Sequence, residues 1–358
     1  MNRMRRIKTP TIALGLLFLG VSIAIAATRL SFLQGTPPTG SVRHDPAPEF
    51  TGIDAWLNSA PLTVGALRGH VVLIDFWTYS CVNCVRTFPA LRALYDRYRA
   101  AGFQIVGVHS PEFSFEKRVD NVAAAIREHG LPWPVALDNR MATWNAYGNH
   151  YWPHVYLIDA QGTIRFDHIG EGGDDLIQTR IRSLLTETHA TLPAPVDFTE
   201  PLQNPHLTPE IYAGSDRGAV NGAIGNPEGY QPDRVVDYRP VDAQTIAQVG
   251  TDGVFFLQGR WRASGEYLDA AADGARLTLP FYATDVFFVA AAPSGADVRL
   301  ELDGKPVPPS VIGASPGGGV VRVGRSDLYR LIHLPNAGAH RLTLVAGKGF
   351  RLYTFTFG

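Results

Sequence analysis

The chain holds two cysteines, and they form a single C-x-x-C, Cys81-Val-Asn-Cys84. A short apolar run of β-branched type, Val71-Val-Leu-Ile-Asp-Phe76, leads into it, and Leu91, Leu94, Tyr95 and Tyr98 recur at helical spacing after it. Such a run suits a strand buried on both faces. A strand that feeds a C-x-x-C and then a helix demands an α/β unit. It also sets Cys81 at a helix N-terminus, where unpaired amides and the helix dipole stabilise a thiolate. Cys84, three residues on, shares that helix face and lies within bridging distance. Cys81 is therefore the candidate nucleophile, and Cys84 the residue that resolves a mixed disulfide. Zinc is disfavoured, since a structural site needs about four ligands and one C-x-x-C gives two. His109, His150 and His154 add no finger-like spacing. An inert staple is disfavoured by the strand-to-helix placement, which exposes Cys81. A lone-cysteine hydrolase is disfavoured by the resolving thiol beside the nucleophile. The expected centre is a redox-active Cys81–Cys84 pair with no metal and no bound cofactor.

At 358 residues the chain is long for one core, so two domains are expected. Residues 1–27 read as a signal peptide or membrane anchor. Arg3, Arg5, Arg6 and Lys8 give a positive flank to the apolar run Thr11 to Ala27. That run falls between a signal-peptide core and a full span, and Ala24-Ile25-Ala26 offers a cleavage site. Both readings export everything after it, so the expected location is extracytoplasmic (periplasmic). Residues 28–48, rich in Pro and Gly without a period, read as a linker. Residues 49–188 alternate strand and helix patterns: strand, helix, strand, helix, strand, strand, helix, an α/β sandwich. Residues 189–209 carry Pro193, Pro195, Pro201, Pro205 and Pro209 and read as a second linker. From 210 to 358 the period changes. Val298, Leu300 and Leu302 alternate with Arg299, Glu301 and Asp303, and Asp303-Gly304 signals a hairpin turn. This part is expected to be an all-β jelly roll or sandwich, with Trp261 facing its core. The formal net charge of -1 gives no sign of a nucleic-acid partner.

The segment Leu73-Ile-Asp-Phe-Trp-Thr-Tyr-Ser-Cys81 and the later Trp152-Pro153-His-Val-Tyr-Leu-Ile158 make residues 49–188 resemble the TlpA/ResA branch of the thioredoxin superfamily. The resemblance implies a thioredoxin-like fold and roles for further residues around the cysteines. Asp75, six residues before Cys81, matches the buried Asp that exchanges protons with the second cysteine; a carboxyl deprived of water has a raised pKa suited to that work. Pro153 matches the cis-proline of the loop that packs on the C-x-x-C and pairs with substrate backbone. Trp152 and Trp77 join it as candidates for the substrate-facing surface, and Trp77 and Tyr79 also flank and shape the site. Glu112, after the second strand, is a further candidate acid–base group, against the plainer reading of an exposed loop carboxylate.

The match extends to the soluble part of DipZ-type proteins, through Trp56-Leu-Asn-Ser-Ala-Pro61, Val108-His-Ser-Pro-Glu-Phe113, Glu210-Ile-Tyr-Ala-Gly214, Leu257-Gln-Gly-Arg-Trp261 and Phe355-Thr-Phe-Gly358. Such proteins join a membrane electron-transfer domain to a thioredoxin-like domain and a carbohydrate-binding-module-like sandwich. No multi-span segment stands in this sequence. The resemblance therefore implies protein disulfides as substrates and a separate membrane electron donor of the CcdA/DsbD type. Val82-Asn83 replaces thioredoxin's Gly-Pro between the cysteines, so thioredoxin's potential does not carry over. Two alternatives stay open. A peroxiredoxin-like peroxidase would carry a Pro where Ile74 stands, although Thr78 fits three residues before Cys81. A glycan-binding sandwich with a secondary redox domain would need exposed aromatics, and Trp261 is the only Trp after residue 198.

Overall fold

The computed structural model describes residues 40–199, 206–308, 311 and 319–358, and among these two sheets divide the chain. The first is built from β1 (Gly40–Pro46), β2 (Ala55–Leu57), β3 (Val71–Trp77), β4 (Phe103–His109), β5 (Val135–Leu137), β6 (His154–Ile158) and β7 (Thr163–Ile169), in the order β1-β7-β6-β3-β4-β5-β2. Helices α1 (Val82–Tyr98), α2 (Val119–His129), α3 (Ala142–Ala146) and α4 (Asp174–Glu187) lie between the strands in sequence. β3 is central: it runs parallel to β4 and antiparallel to β6. All seven of its residues are buried, as expected of a strand covered on both faces.

The pleat divides β3 between two cores. Val71, Leu73 and Trp77 join Cys84, Phe88, Leu91, Leu94 and Tyr98 of α1 and Ile177, Ile181 and Leu185 of α4. Val72, Ile74 and Phe76 join Val106, Val108, Trp144, Tyr147 and Tyr156 on the opposite face. Asp75 thus shares a face with Leu73 and Trp77, the face on which Cys84 is buried. Its parallel partner on β4 is Gly107, where an added Cβ would come within 2.8 Å of the Trp77 indole nitrogen.

The expected strand and helix order is present as β3, α1, β4, α2, β6, β7, α4, with β1, β2, β5 and α3 in addition. β1 corrects the reading of residues 28–48 as linker throughout. Residues 40–46 pair antiparallel with β7, and Ser41 donates a hydrogen bond to the Asp167 carboxylate. The strand is mostly exposed and is held by backbone bonds at a sheet edge, so it carries no apolar period. Residues 1–39, and with them the signal or anchor, lie outside the described residues. Among the described residues no helix is long and apolar enough to cross a membrane.

Residues 189–199, in the second expected linker, have no regular structure yet lie on the first domain. Arg182 donates to the Pro193 carbonyl at 2.7 Å, Gln178 pairs with both backbone groups of Val196, and Phe198 packs against the α1 core. Residues 200–205 lie outside the described residues.

The second sheet is all-β in character and contains β8 (Ile211–Tyr212), β9 (Val235–Tyr238), β10 (Phe256–Ala263), β11 (Leu268–Ala270), β12 (Ala275–Ala291), β13 (Ala296–Leu302), β14 (Lys305–Pro306), β15 (Val320–Val323), β16 (Asp327–Ala346) and β17 (Arg351–Phe357). Two short helices, Ser215–Asn221 and Ala243–Val249, interrupt it. β12 pairs along nearly its whole length with β16, while its first part also pairs with β10 and its second with β17. This exchange of neighbours lets one long strand wrap a core of Trp261, Phe281, Phe288, Leu300, Leu344 and Phe355. Trp261 is fully buried, as expected, and forms no exposed aromatic platform. Leu302 pairs with Lys305 across Asp303-Gly304, whose φ values of 51° and 77° fit the hairpin turn.

Because that core is closed by its own strands, a fragment spanning 206–358 is expected to unfold cooperatively alone and to lack thiol exchange. Fluorescence of Trp261, its single tryptophan, during urea unfolding checks this. A fragment that gains structure only when the first domain is added would show that the two share one core.

Candidate redox site

Cys81 is the N-cap of α1, with an extended backbone (φ −80°, ψ 111°), and its Sγ accepts the Cys84 N–H at 3.3 Å. Cysteine here takes the place that Ser, Thr or Asp usually fill, so a backbone donor points at the sulfur. Cys81 is partly exposed and Cys84 is fully buried; both are free thiols. The first can meet another protein, and the second can meet only Cys81 and the interior.

Asp75 is also fully buried, and neither carboxyl oxygen has a hydrogen-bond partner. Burial raises its pKa from 3.8 to about 7. The Cys84 thiol is pushed well up, first by burial, then by Cys81 and by the Asp75 charge. A buried acid that titrates near neutrality thus stands beside a buried thiol that resists ionisation. Behind the turn, His109 is fully buried, and burial pushes it down to about 3, so the imidazole is neutral. Its Nε2 lies 3.3 Å from the Thr78 hydroxyl, and its ring stacks on Tyr79. The Trp152–Pro153 peptide is cis, at the start of β6, where His154 pairs with Phe76 of β3. Among the described residues no group of three or more His, Cys, Asp or Glu could hold a metal.

Residues 43–180 match the redoxin family, and residues 208–358 match the family described as a thioredoxin-like C-terminal domain. The two matches follow one another along the chain, one on each of the two sheets. Over 321 residues it is 36% identical to the protein DipZ of Mycobacterium bovis, covering 87% of this chain and 43% of DipZ. It therefore spans less than half the length of that relative. Over 145 residues it is 29% identical to the thiol-disulfide oxidoreductase YkuV of Bacillus subtilis, covering 40% of this chain and 97% of YkuV. Over 124 residues it is 27% identical to the thiol-disulfide oxidoreductase ResA of Halalkalibacterium halodurans, covering 34% of this chain and 66% of ResA. Both of these shorter relatives align with the part of the chain that matches the redoxin family.

Not every residue singled out in the sequence sits at the redoxin domain's thiols. Trp77 is wholly buried between Phe88 and His109, so it packs the site from beneath and offers no surface to a substrate. The reason is the pleat, which turns Trp77 into the same core as Leu73. Trp152 is half-buried; its indole N–H donates to the Ser110 carbonyl at 2.9 Å and its ring lies 4.2 Å from that of Trp144. Pro153 is buried, and its carbonyl accepts from Gly170 at 2.9 Å. His154 is structural, bonded to Asn149 and Asp167.

Glu112 is the clearest correction. Its carboxylate is paired at 2.7 Å with Arg217 of the C-terminal domain and accepts the Tyr212 hydroxyl at 2.7 Å. Committed to that interface, it is not an acid–base group for the cysteines. The same loop carries Phe113 and Phe115 against Tyr353, at 5.2 and 4.8 Å between ring centroids, so the C-terminal domain is seated beside the redox site. Arg86, on α1, reaches the Phe357 carbonyl at 3.4 Å, and the Tyr79 hydroxyl reaches the Ser326 carbonyl at 3.5 Å. Sequence reasoning missed a second buried carboxyl, Glu116, which accepts the Ser80 hydroxyl at 2.5 Å. The one available signal was an acid that directly follows two aromatic positions in Phe113-Ser-Phe-Glu116.

Proposed function

We propose that the protein reduces disulfides in other proteins outside the cytoplasm, with Cys81 as nucleophile and Cys84 as resolving thiol. The observation that carries this reading is the pairing of a partly exposed N-cap thiol with a buried one, beside an uncompensated Asp75. The Cys81 thiolate attacks one sulfur of a substrate disulfide, and the other sulfur leaves as a thiolate that takes a proton from solvent. Asp75, in its carboxylate form, takes the Cys84 proton. Cys84 then attacks the Cys81 sulfur, and the second substrate sulfur leaves as a thiolate that takes a proton from solvent, to which Asp75 returns its own. Two electrons pass to the substrate, and the enzyme is left with a Cys81–Cys84 disulfide. The dithiol supplies the electrons, and the reading assigns no metal or bound cofactor to the step. Pro153, by its family likeness, holds the substrate backbone, with Trp152 at its side.

Export rests on the positive, then apolar, N-terminal sequence. In an oxidising compartment a spent dithiol stays a disulfide unless it is reduced again. The reading therefore includes a membrane electron donor of the CcdA/DsbD type that attacks the Cys81–Cys84 disulfide. The test joins two measurements. Equilibration with glutathione is expected to give a potential nearer thioredoxin's, about −270 mV, than DsbA's, about −120 mV. Thiol trapping in cells is expected to find the pair reduced, and oxidised once the donor is deleted. A pair oxidised with or without the donor, or a DsbA-like potential, would reverse the direction of the reaction. Rapid peroxide turnover without disulfide reduction would instead favour the peroxidase.

A further inference from the structure

Beneath the turn that carries Cys81 lies a carboxyl to which the thiol chemistry above gives no part. Glu116 is fully buried on a 3-10 turn, Ser114–Lys117, that follows β4. One oxygen accepts the Ser80 hydroxyl at 2.5 Å, and the other accepts the backbone N–H groups of Glu112 at 2.5 Å and Phe113 at 2.9 Å. The Thr78 hydroxyl faces the same carboxyl. Thr78 and Ser80 are the two hydroxyl residues of Thr78-Tyr79-Ser80-Cys81, and both are buried. The Cys81 N–H, in turn, bonds to the Thr78 carbonyl at 3.4 Å. One carboxyl therefore holds the residue immediately before the nucleophile and, through two amides, the loop that docks the C-terminal domain.

We propose that Glu116 is a positioning residue for Cys81, fixing the turn that presents its sulfur at the N-terminus of α1. The proposal rests on the reading of Cys81 as the nucleophile. Hydrogen bonds to an ionised acceptor are the strong ones, and an acceptor with no access to water cannot exchange them for solvent. Without this anchor, Ser80 is free to rotate, and Cys81 loses the backbone geometry in which its sulfur meets the Cys84 N–H. The groups around Glu116 also define its proton affinity. Its pKa is raised from 4.5 to about 7, first by burial and then by the Glu112 charge, against the opposing Ser80, Thr78 and Phe113 donors. Tyr79 lies next to it, with Asp327 and Arg325 beyond. His109, behind Thr78, is neutral, Arg217 is engaged by Glu112, and Lys117 of the same turn faces solvent. The turn thus rests on a group that changes charge near neutral pH.

The test is the rate at which iodoacetamide alkylates Cys81 in the full chain, followed from pH 5 to 9 with the modified residue read by mass spectrometry. Glu116→Gln can keep the geometry, its amide donating to Ser80 and its carbonyl accepting from the two amides, but it does not titrate. It should react within about twofold of the parent at pH 6 and lose an inflection near pH 7. Asp75→Asn should keep that inflection. Glu116→Ala and Ser80→Ala should slow alkylation at pH 7, by roughly fivefold or more for Ala at 116. A Gln variant that keeps the inflection overturns the proposal. So do folded Ala variants that react at the parental rate, since a merely structural role would lower stability alone. If Glu116→Ala does not fold, Glu116→Gln and Ser80→Ala decide. A parent protein that alkylates normally but reduces no disulfide would count against the proposed function and leave this comparison intact.

Discussion

Cys84→Ser will accumulate mixed disulfides with partner proteins, and Cys81→Ser will accumulate none. The asymmetry follows from burial. Cys81 is partly exposed and receives a backbone hydrogen bond on its sulfur, whereas Cys84 is fully buried with its thiol held against ionisation. Removal of Cys84 stops the reaction after the first attack, since no other thiol exists in the chain to release the partner. Removal of Cys81 leaves a sulfur that no substrate can reach. Both variants should lose multiple-turnover disulfide reduction by at least ~10³-fold, the scale expected when a covalent nucleophile is lost. Acid quenching, alkylation and non-reducing electrophoresis read the trapped species. Equal trapping by the two variants would show that Cys84 reaches partners and that the division of labour is wrong.

That division was legible in the sequence because it is local. A buried strand, a C-x-x-C and a helical period occupy one continuous stretch, and the period-2 pleat of Val71–Trp77 also puts Asp75 on the side of Cys84. The same pleat, followed two residues further, places Trp77 in the core, although its nearness to the cysteines in sequence makes it a candidate for the substrate surface. The core of the second domain was legible for the same reason, through alternation in β13 and the hairpin at Asp303-Gly304. What escaped was not local. β1 pairs through backbone groups at an edge and buries little, so its side chains carry no pattern. Glu112 and Glu116 are two acids four residues apart, and the Phe113 and Phe115 between them are too weak a signal to decide which turns outward. The deciding partners are Arg217, in the other domain, and Ser80, on the far side of β4 in sequence. Glu112 is a candidate in the sequence only because it follows the strand, and the structure commits that residue to the domain interface.

Asp75→Asn is expected to stabilise the protein in alkali while impairing its chemistry. The Asp75 carboxyl has a folded-state pKa of about 7 against an ordinary 3.8, and burial is the cause. The folded protein therefore binds its proton more tightly than the unfolded chain does. That contribution to stability is fully present below about 3.8 and is lost as pH rises through about 7. Asn has no proton to lose and escapes the loss. Its stability relative to the parent should thus rise by about 2–4 kcal/mol between pH 4 and pH 8, the upper figure being the whole shift expressed as free energy. Glu116 also titrates near 7, but it is present in both proteins and cancels from the comparison. Urea unfolding at the two pH values reads the difference, and a constant gap between the proteins would mean that Asp75 is not buried with its proton. The same substitution removes the base that accepts the Cys84 proton. Disulfide exchange near pH 7 should slow by roughly tenfold to a hundredfold, with attack by Cys81 unaffected, so that mixed disulfides persist longer before they resolve. An Asn variant that is more stable at pH 8 yet exchanges at the parental rate would keep Asp75 buried and remove it from the mechanism. A variant that gains stability as it loses rate would show that the fold carries an unfavourable buried carboxyl because the second cysteine needs a proton acceptor.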